Sequence, residues 1–202
     1  MRAETTAAPV VPAPASSDRR LPPWAAWTIG VSCIVAAWFA ALVTPGTEEA
    51  QAPFEVPASI GETVTGRNLV VTVTDLRRAS EVSAHGWTAE GNWLVVDLDA
   101  RSVLTEHLTS LTHTELVIDG IRFGASDRPD SLAENGALAI GIPREGSLAF
   151  ELPADLDTGA GRIELSLSED PSLDSMIVLS FDLGGVPAVD QTELLTTGWA
   201  NP

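Results

Sequence analysis

The sequence predicts an all-β fold, an antiparallel sandwich of about seven strands, carried behind one transmembrane helix. Three observations predict it. Trp24–Val43 (WAAWTIGVSCIVAAWFAALV) is an apolar run without a charged residue. Beyond it, short segments alternate apolar and polar residues with period two. Gly, Pro and Asp punctuate those segments, and no long amphipathic helical pattern interrupts them.

Residues 1–23 are rich in Ala, Pro, Ser and Thr and lack the large side chains a core needs, which predicts a disordered cytoplasmic tail. The next segment, 24–43, holds 20 residues, and about 20 residues at ~1.5 Å each cross a ~30 Å hydrocarbon core. Arg19 and Arg20 precede it and Glu48 and Glu49 follow it, so the basic side, and the N-terminus, is expected in the cytoplasm. Trp24 and Trp27 suit the inner interface, Pro22 and Pro23 the first helical turn, and Pro45-Gly46 the end. An uncleaved signal-anchor fits best. A cleaved signal peptide needs a shorter apolar core, and the best cleavage match, Ala50-Gln51-Ala52, lies well past the run. A lipoprotein attached through Cys33 would turn polar after it, whereas this run stays apolar to Val43.

Residues 44–58 read as a linker containing Pro45, Pro53 and Pro57, and the sandwich is expected over 59–183. Asn68–Leu76 sets Leu69, Val71 and Val73 on one face, and Trp93–Leu98 sets Leu94, Val96 and Leu98. Ser147–Leu152 offers Leu148, Phe150 and Leu152; Arg162–Ser168 offers Ile163, Leu165 and Leu167; Met176–Leu183 offers Ile177, Leu179, Phe181 and Leu183. Each reads as a half-buried strand. In Leu116–Phe123, Asp119-Gly120 between apolar pairs predicts a two-residue hairpin, because both turn positions want φ > 0. Thr105–His113 reads as a loop or short turn, 124–141 as a long connection with a helical turn near Ser131–Asn135, and 184–202 as a C-terminal tail, docked or disordered.

These strands carry a resemblance. Over roughly Ile60–Leu183 the chain resembles a bacterial extracytoplasmic immunoglobulin-like domain-of-unknown-function family found on lipoproteins and membrane-anchored proteins. Gly61-Glu62 with Asn68–Val73 is similar to its opening strand, Trp93–Ala100 to its alternating apolar strand, Leu116–Phe123 to its Asp-Gly hairpin, and Ile142–Ser147 with Leu148–Pro153 to its closing loop and strand. Arg101-Ser102 and Pro143-Arg144-Glu145-Gly146 depart from its usual Asn-Thr and Pro-Gly. The resemblance implies an immunoglobulin-like fold and an extracytoplasmic place, and no catalytic residues.

Composition narrows the function. From Thr44 onward there are 26 Asp and Glu against 8 Arg, and no Lys anywhere. So acidic a domain is unsuited to nucleic acid, where each phosphate contact needs a cation. The single cysteine, Cys33, lies in the apolar run, which excludes disulfides, zinc thiolates and thiol nucleophiles from the domain. There is no Gly-x-Ser-x-Gly elbow.

The residues with candidate chemistry have plain structural readings beside them. His85, His107 and His113 would make a metal site only if they converged at ~2.0–2.1 Å from one ion, and separate loop histidines are the default. Asp155-Leu156-Asp157-Thr158-Gly159 has a calcium-loop look, but the twelfth position is Ser166, and a plain turn is favoured. Asp97 and Asp99 share a strand face about 7 Å apart, which reads as a solvated face. Trp93 reads as core, and so, by preference, does Trp87, whose alternative is an exposed anchor. Trp87, Leu194, Leu195 and Trp199 are the candidate partner contacts. No catalytic, cofactor or metal residue is assigned. The expectation is a non-enzymatic, membrane-anchored binding or scaffolding module, an accessory subunit of a cell-envelope transporter or assembly. It would touch lipid through the helix and a protein partner at the membrane. The alternative is a sensor or carrier of a cation or small envelope ligand held by the sandwich loops.

Overall fold

A computed structural model describes residues 22–43, 51–104 and 110–200. The tail 1–21, the charges flanking the apolar run, residues 44–50 of the linker, and Thr105–Thr109 with His107 lie outside the described residues. Two units result, one holding the helix and the other the β domain.

The helix α1 (Pro23–Val43) is long and apolar enough to cross a membrane. Its first turn has no acidic and its last turn no basic residue. A helix apolar on every side has no polar face to offer water.

The β domain is a sandwich of two sheets. One has the order β1-β9-β8-β5-β6, with β1 (Phe54–Ala58), β5 (His113–Ile118), β6 (Ile121–Gly124), β8 (Ala160–Ser166) and β9 (Ser175–Asp182). The other has the order β10-β3-β4-β7-β11, with β3 (Leu69–Ala84), β4 (Trp87–Ser102), β7 (Arg144–Leu152), β10 (Ala188–Glu193), β11 (Gly198–Trp199), and β2 (Thr63–Thr65) paired to β3. A short helix α2 (Leu132–Asn135) interrupts the long connection before β7. Between the sheets, the alternating residues read from the sequence meet. Leu69, Val71 and Val73 face Leu116, Ile163, Leu165, Ile177 and Leu179, with Leu94, Leu98, Leu148 and Phe150 completing the core. Asp119 (φ 49°) and Gly120 (φ 84°) turn β5 into β6 as expected. Gly120→Ala places a Cβ in the left-handed region at a cost of about 1 kcal/mol, read as a lower urea midpoint with an unchanged slope.

The sandwich departs from expectation in strand number, two pairings and both boundaries. There are more strands than seven, because 51–58 and 184–202 contribute strands in place of linker and tail. β1 pairs with β9 and β10 with β3, both parallel, so the sheets are not wholly antiparallel. The β3–β4 hairpin also runs far past the segments predicted from periodicity. Two register shifts, between Val73 and Asp75 and between Ala79 and Glu81, move the apolar residues from one parity to the other.

At the second shift the hairpin bends back over its own sheet. Trp87 and Trp93 would be about 20 Å apart on a straight strand, yet their rings meet edge to face at 6.1 Å. Gly91 sits at the bend, where a Cβ would lie 2.9 Å from Trp93 Nε1. Ala79, Val82, Ala84 and Ala89 of the bent part close on Trp93, Val95 and Ala149, forming a second apolar cluster outside the main core. Trp93 is therefore core, as expected, but of this second cluster.

The C-terminal segment seals it. β10 covers one edge of the sheet, β11 covers the other, and Leu194–Thr197 crosses the outer face between them. Leu194 is buried in the second cluster, and the Leu195 N–H donates to Ser147 Oγ at 2.8 Å.

Candidate functional site

The outward positions of the five-stranded sheet gather charge. β5 contributes His113 and Glu115, β8 contributes Arg162 and Glu164, β6 contributes Arg122 and β1 contributes Glu55. Register places Glu115 directly opposite Glu164, where like charges repel. Arg122 Nη1 resolves the conflict by donating to Glu115 Oε2 and, at 3.3 Å, to Glu164 Oε2. Arg162 Nε lies 2.8 Å from Glu164 Oε1 without aiming its hydrogen at it, while its Nη2 donates to Glu55 Oε1 at 2.7 Å. His113 Nε2 stands 3.4 Å from Glu164 Oε2. Glu164 is thus a buried carboxylate, 4% exposed, ringed by two guanidinium groups and an imidazole. The hydrogen bond to Glu115, and then the charges of Glu164 and Glu115, raise the Arg122 pKa above its ordinary value.

An open cleft of about 400 Å³ lies over this cluster, walled further by Pro53, Asp170, Ser172 and Met176. His113, Glu115 and Glu164 each present a ligand atom within 4.8 Å of the others. One imidazole and two carboxylates form a donor set suited to zinc or another first-row divalent ion. A metal there would displace Arg122, whose side chain is 60% exposed and free to swing outward.

At the cleft's rim Asp170 Oδ1 accepts from Ser172 Oγ at 2.5 Å and from Ser172 N at 3.0 Å. These bonds, the hydroxyl's first, lower the Asp170 pKa below its ordinary value. A depressed carboxyl contributes stability above its unfolded pKa and loses it as pH falls through the folded value. Carbon-detected NMR titration is expected to find Asp170 ionised below the ordinary range, and Ser172→Ala to move it back up.

The residues singled out from sequence separate. Leu194 is buried and cannot touch a partner, which corrects its candidacy. Trp87 is half-buried against the second cluster with the Arg128 guanidinium 5.6 Å from its ring, so the core reading of this residue prevails over the exposed anchor. Leu195 and Trp199 remain exposed, Trp199 beneath Arg144 at 4.9 Å. His85 sits in the β3–β4 turn near Thr196 and Asp130, away from the Glu164 cluster that holds His113. Asp155–Gly159 is a turn whose carbonyls serve Asn92 and Arg78.

Asp97 does not lie on a solvated face. Its carboxylate is buried beneath the C-terminal segment, accepting from Arg77 Nη1 at 2.5 Å and from Ser147 Oγ at 2.5 Å. Arg77 also donates to Asp75 at 2.8 Å and Thr192 at 2.7 Å. Burial works against the Arg77 charge, but the bonds to Asp97 and Asp75 outweigh it and raise the pKa.

Sequence reasoning missed Glu115, Glu164, Arg122 and Arg162. Each occupies the polar half of an alternating strand, and the available signal was charges of both signs at facing positions of neighbouring strands. Compared with known proteins, the chain matches no family model and no curated protein. Among solved structures it is similar to an uncharacterized beta-sandwich protein from Clostridium difficile 630. That similarity has 11% sequence identity and a TM-score of 0.43, over 68% of this chain and 99% of that one.

Proposed function

We propose that this is a single-pass cell-membrane protein, N-terminus in the cytoplasm, whose sandwich works outside as a non-enzymatic binding or scaffolding module. Its role would be that of an accessory subunit of a cell-envelope transporter or assembly, in keeping with the immunoglobulin-like family it resembles. The observation that carries the reading is α1, a helix of membrane-spanning length without a charge, with arginines before it and glutamates after it. Single cysteines at Val10 and Val189, with Cys33 replaced by Ala, test it in intact cells. An impermeant maleimide should label position 189 at once and position 10 only after permeabilisation; the reverse pattern overturns the topology. In-cell crosslinking of the full chain should then yield one membrane complex, and a protein found alone in gently solubilised membranes overturns the accessory role.

The His113, Glu115 and Glu164 cluster supports a second reading, a sensor or carrier of a divalent cation. The donors belong to the sheet face and not to the loops. Calorimetric titration of the full chain with zinc and manganese should show one site that Glu164→Gln removes. Absence of heat with both ions eliminates this reading.

A further inference from the structure

The inference concerns one end of the sandwich and rests on the membrane-anchored reading. Strand directions define that end. β1 and β9 start there, β8 stops there, and β5 starts there. The second sheet joins it where β3 starts and β4 stops, because the Arg67 N–H donates to Ser175 Oγ at 2.7 Å and Gly66 N to Leu69 O at 2.8 Å. β7 starts there too, paired to the end of β4 and to β11.

Most of the domain's exposed large apolar side chains collect on this end. Phe54, Val103, Leu104, Ile140, Ile142 and Leu173 crown its loops, and Trp199 flanks them on the sheet edge. Ile60, Ile121, Val189 and Leu195 are scattered elsewhere. Apolar side chains so gathered on a soluble surface mark a contact.

Two observations name the occupant. The first is the tether. The chain arriving from α1 enters the domain at this end, through Phe54, and residues 44–53 span at most ~33–36 Å. The second is charge. The guanidinium groups of Arg67 and Arg101 lie at this end, and neither has a hydrogen-bond or ion-pair partner among the described residues. Every other arginine of the domain has one. Arg144, over Trp199, stands beside them. Asp99 and Glu145 face each other one step inward on β4 and β7, and on the other sheet Glu169, Asp170 and Asp174 make that side of the same end purely acidic.

We infer that this end docks on the lipid bilayer surface, tilted so that the β4 and β7 side meets it. Leu104, Ile142 and Trp199 enter the interfacial layer, and Arg67 and Arg101 take the phosphate headgroups. Aromatic and aliphatic side chains with arginine beside them suit that layer. The domain thereby presents its far end, with the Asp119-Gly120 turn, away from the membrane.

Full-length protein with Cys33→Ala, spin-labelled singly at 104, 142 or 199 and at 121 as control, tests this in phosphatidylglycerol–phosphatidylcholine vesicles. Flotation is measured first, then collision with oxygen and with an aqueous nickel chelate. The expected result is flotation with a several-fold higher oxygen-to-nickel ratio at 104, 142 and 199 than at 121. Flotation with equal ratios at all four sites overturns the docking and leaves the anchor intact. Dipolar broadening at 104 or 142 with no lipid signal assigns the end to a second copy and also overturns it. Failure to float overturns the anchored reading itself.

Discussion

Ending the chain at Leu183 is expected to abolish cooperative unfolding of the domain and to send it into oligomers. The removed segment supplies β10 and β11, the two edge strands of one sheet, and the crossing between them. Burying a side chain such as Leu194 contributes about 2–5 kcal/mol by analogy with Leu→Ala replacements. Arg77 loses Thr192 and the Glu193 carbonyl, and Ser147 loses the Leu195 N–H. Together these approach the ~5–15 kcal/mol that holds a domain folded. Both flanks of the sheet become unpaired templates for other chains. Thermal unfolding and size-exclusion chromatography read the result. A chain ending at Ala200 should behave like the full one. A chain ending at Leu183 that melts cooperatively at the full-length temperature would show that the segment merely rests on the domain.

Asp97→Ala is expected to lower stability by about 3 kcal/mol, near the bottom of the ~3–5 kcal/mol range for breaking a buried pair. Asp75 moderates the loss, since it still accepts from Arg77. The damage arises from what stays behind, a guanidinium and a hydroxyl under the C-terminal segment with their acceptor gone. Melting temperature should fall by roughly 6–12 °C for a domain of this size. Pairing Arg77→Met with Asp97→Leu should recover most of it, because matched apolar groups need no acceptor. If the double replacement is as unstable as Asp97→Ala, the loss comes from packing and not from the stranded charge.

Much of the fold was legible. Leu94, Val96 and Leu98, or Leu148, Phe150 and Leu152, alternate so strictly that one face had to be inside, and Asp119-Gly120 admits little but a tight turn. The distal half of the β3–β4 hairpin was not legible. Its bulges shift parity twice, and Ala79, Ala84 and Ala89 are too small to announce a core. β1 hid because Pro53 precedes it and Pro57 lies within it. Asp97 was misread because alternation tells that a residue faces outward, not that another segment lies over it. The same limit concealed Glu164. Its partners Arg122 and His113 come from two other strands, and Glu55, which holds the neighbouring Arg162, from a third, so no spacing along the chain records their meeting. The exposed Trp199 and Leu195 were visible as apolar residues in a polar tail, but that the tail is a pair of edge strands was not.

The two parallel pairings set a timetable for the growing chain. The β3–β4 hairpin closes through His85 and Gly86 alone and can form early. β1 and β10 find partners only across great lengths of sequence. Glu55 meets Arg162 107 residues away, and Gln191 meets Glu81 110 residues away. Such distant closures slow folding. At ribosomal speeds of about 5–20 residues per second, the first strand waits on the order of ten seconds for the ninth to be made. The open side of β3 waits likewise for β10, and until β10 is made it is a template for any neighbouring nascent strand.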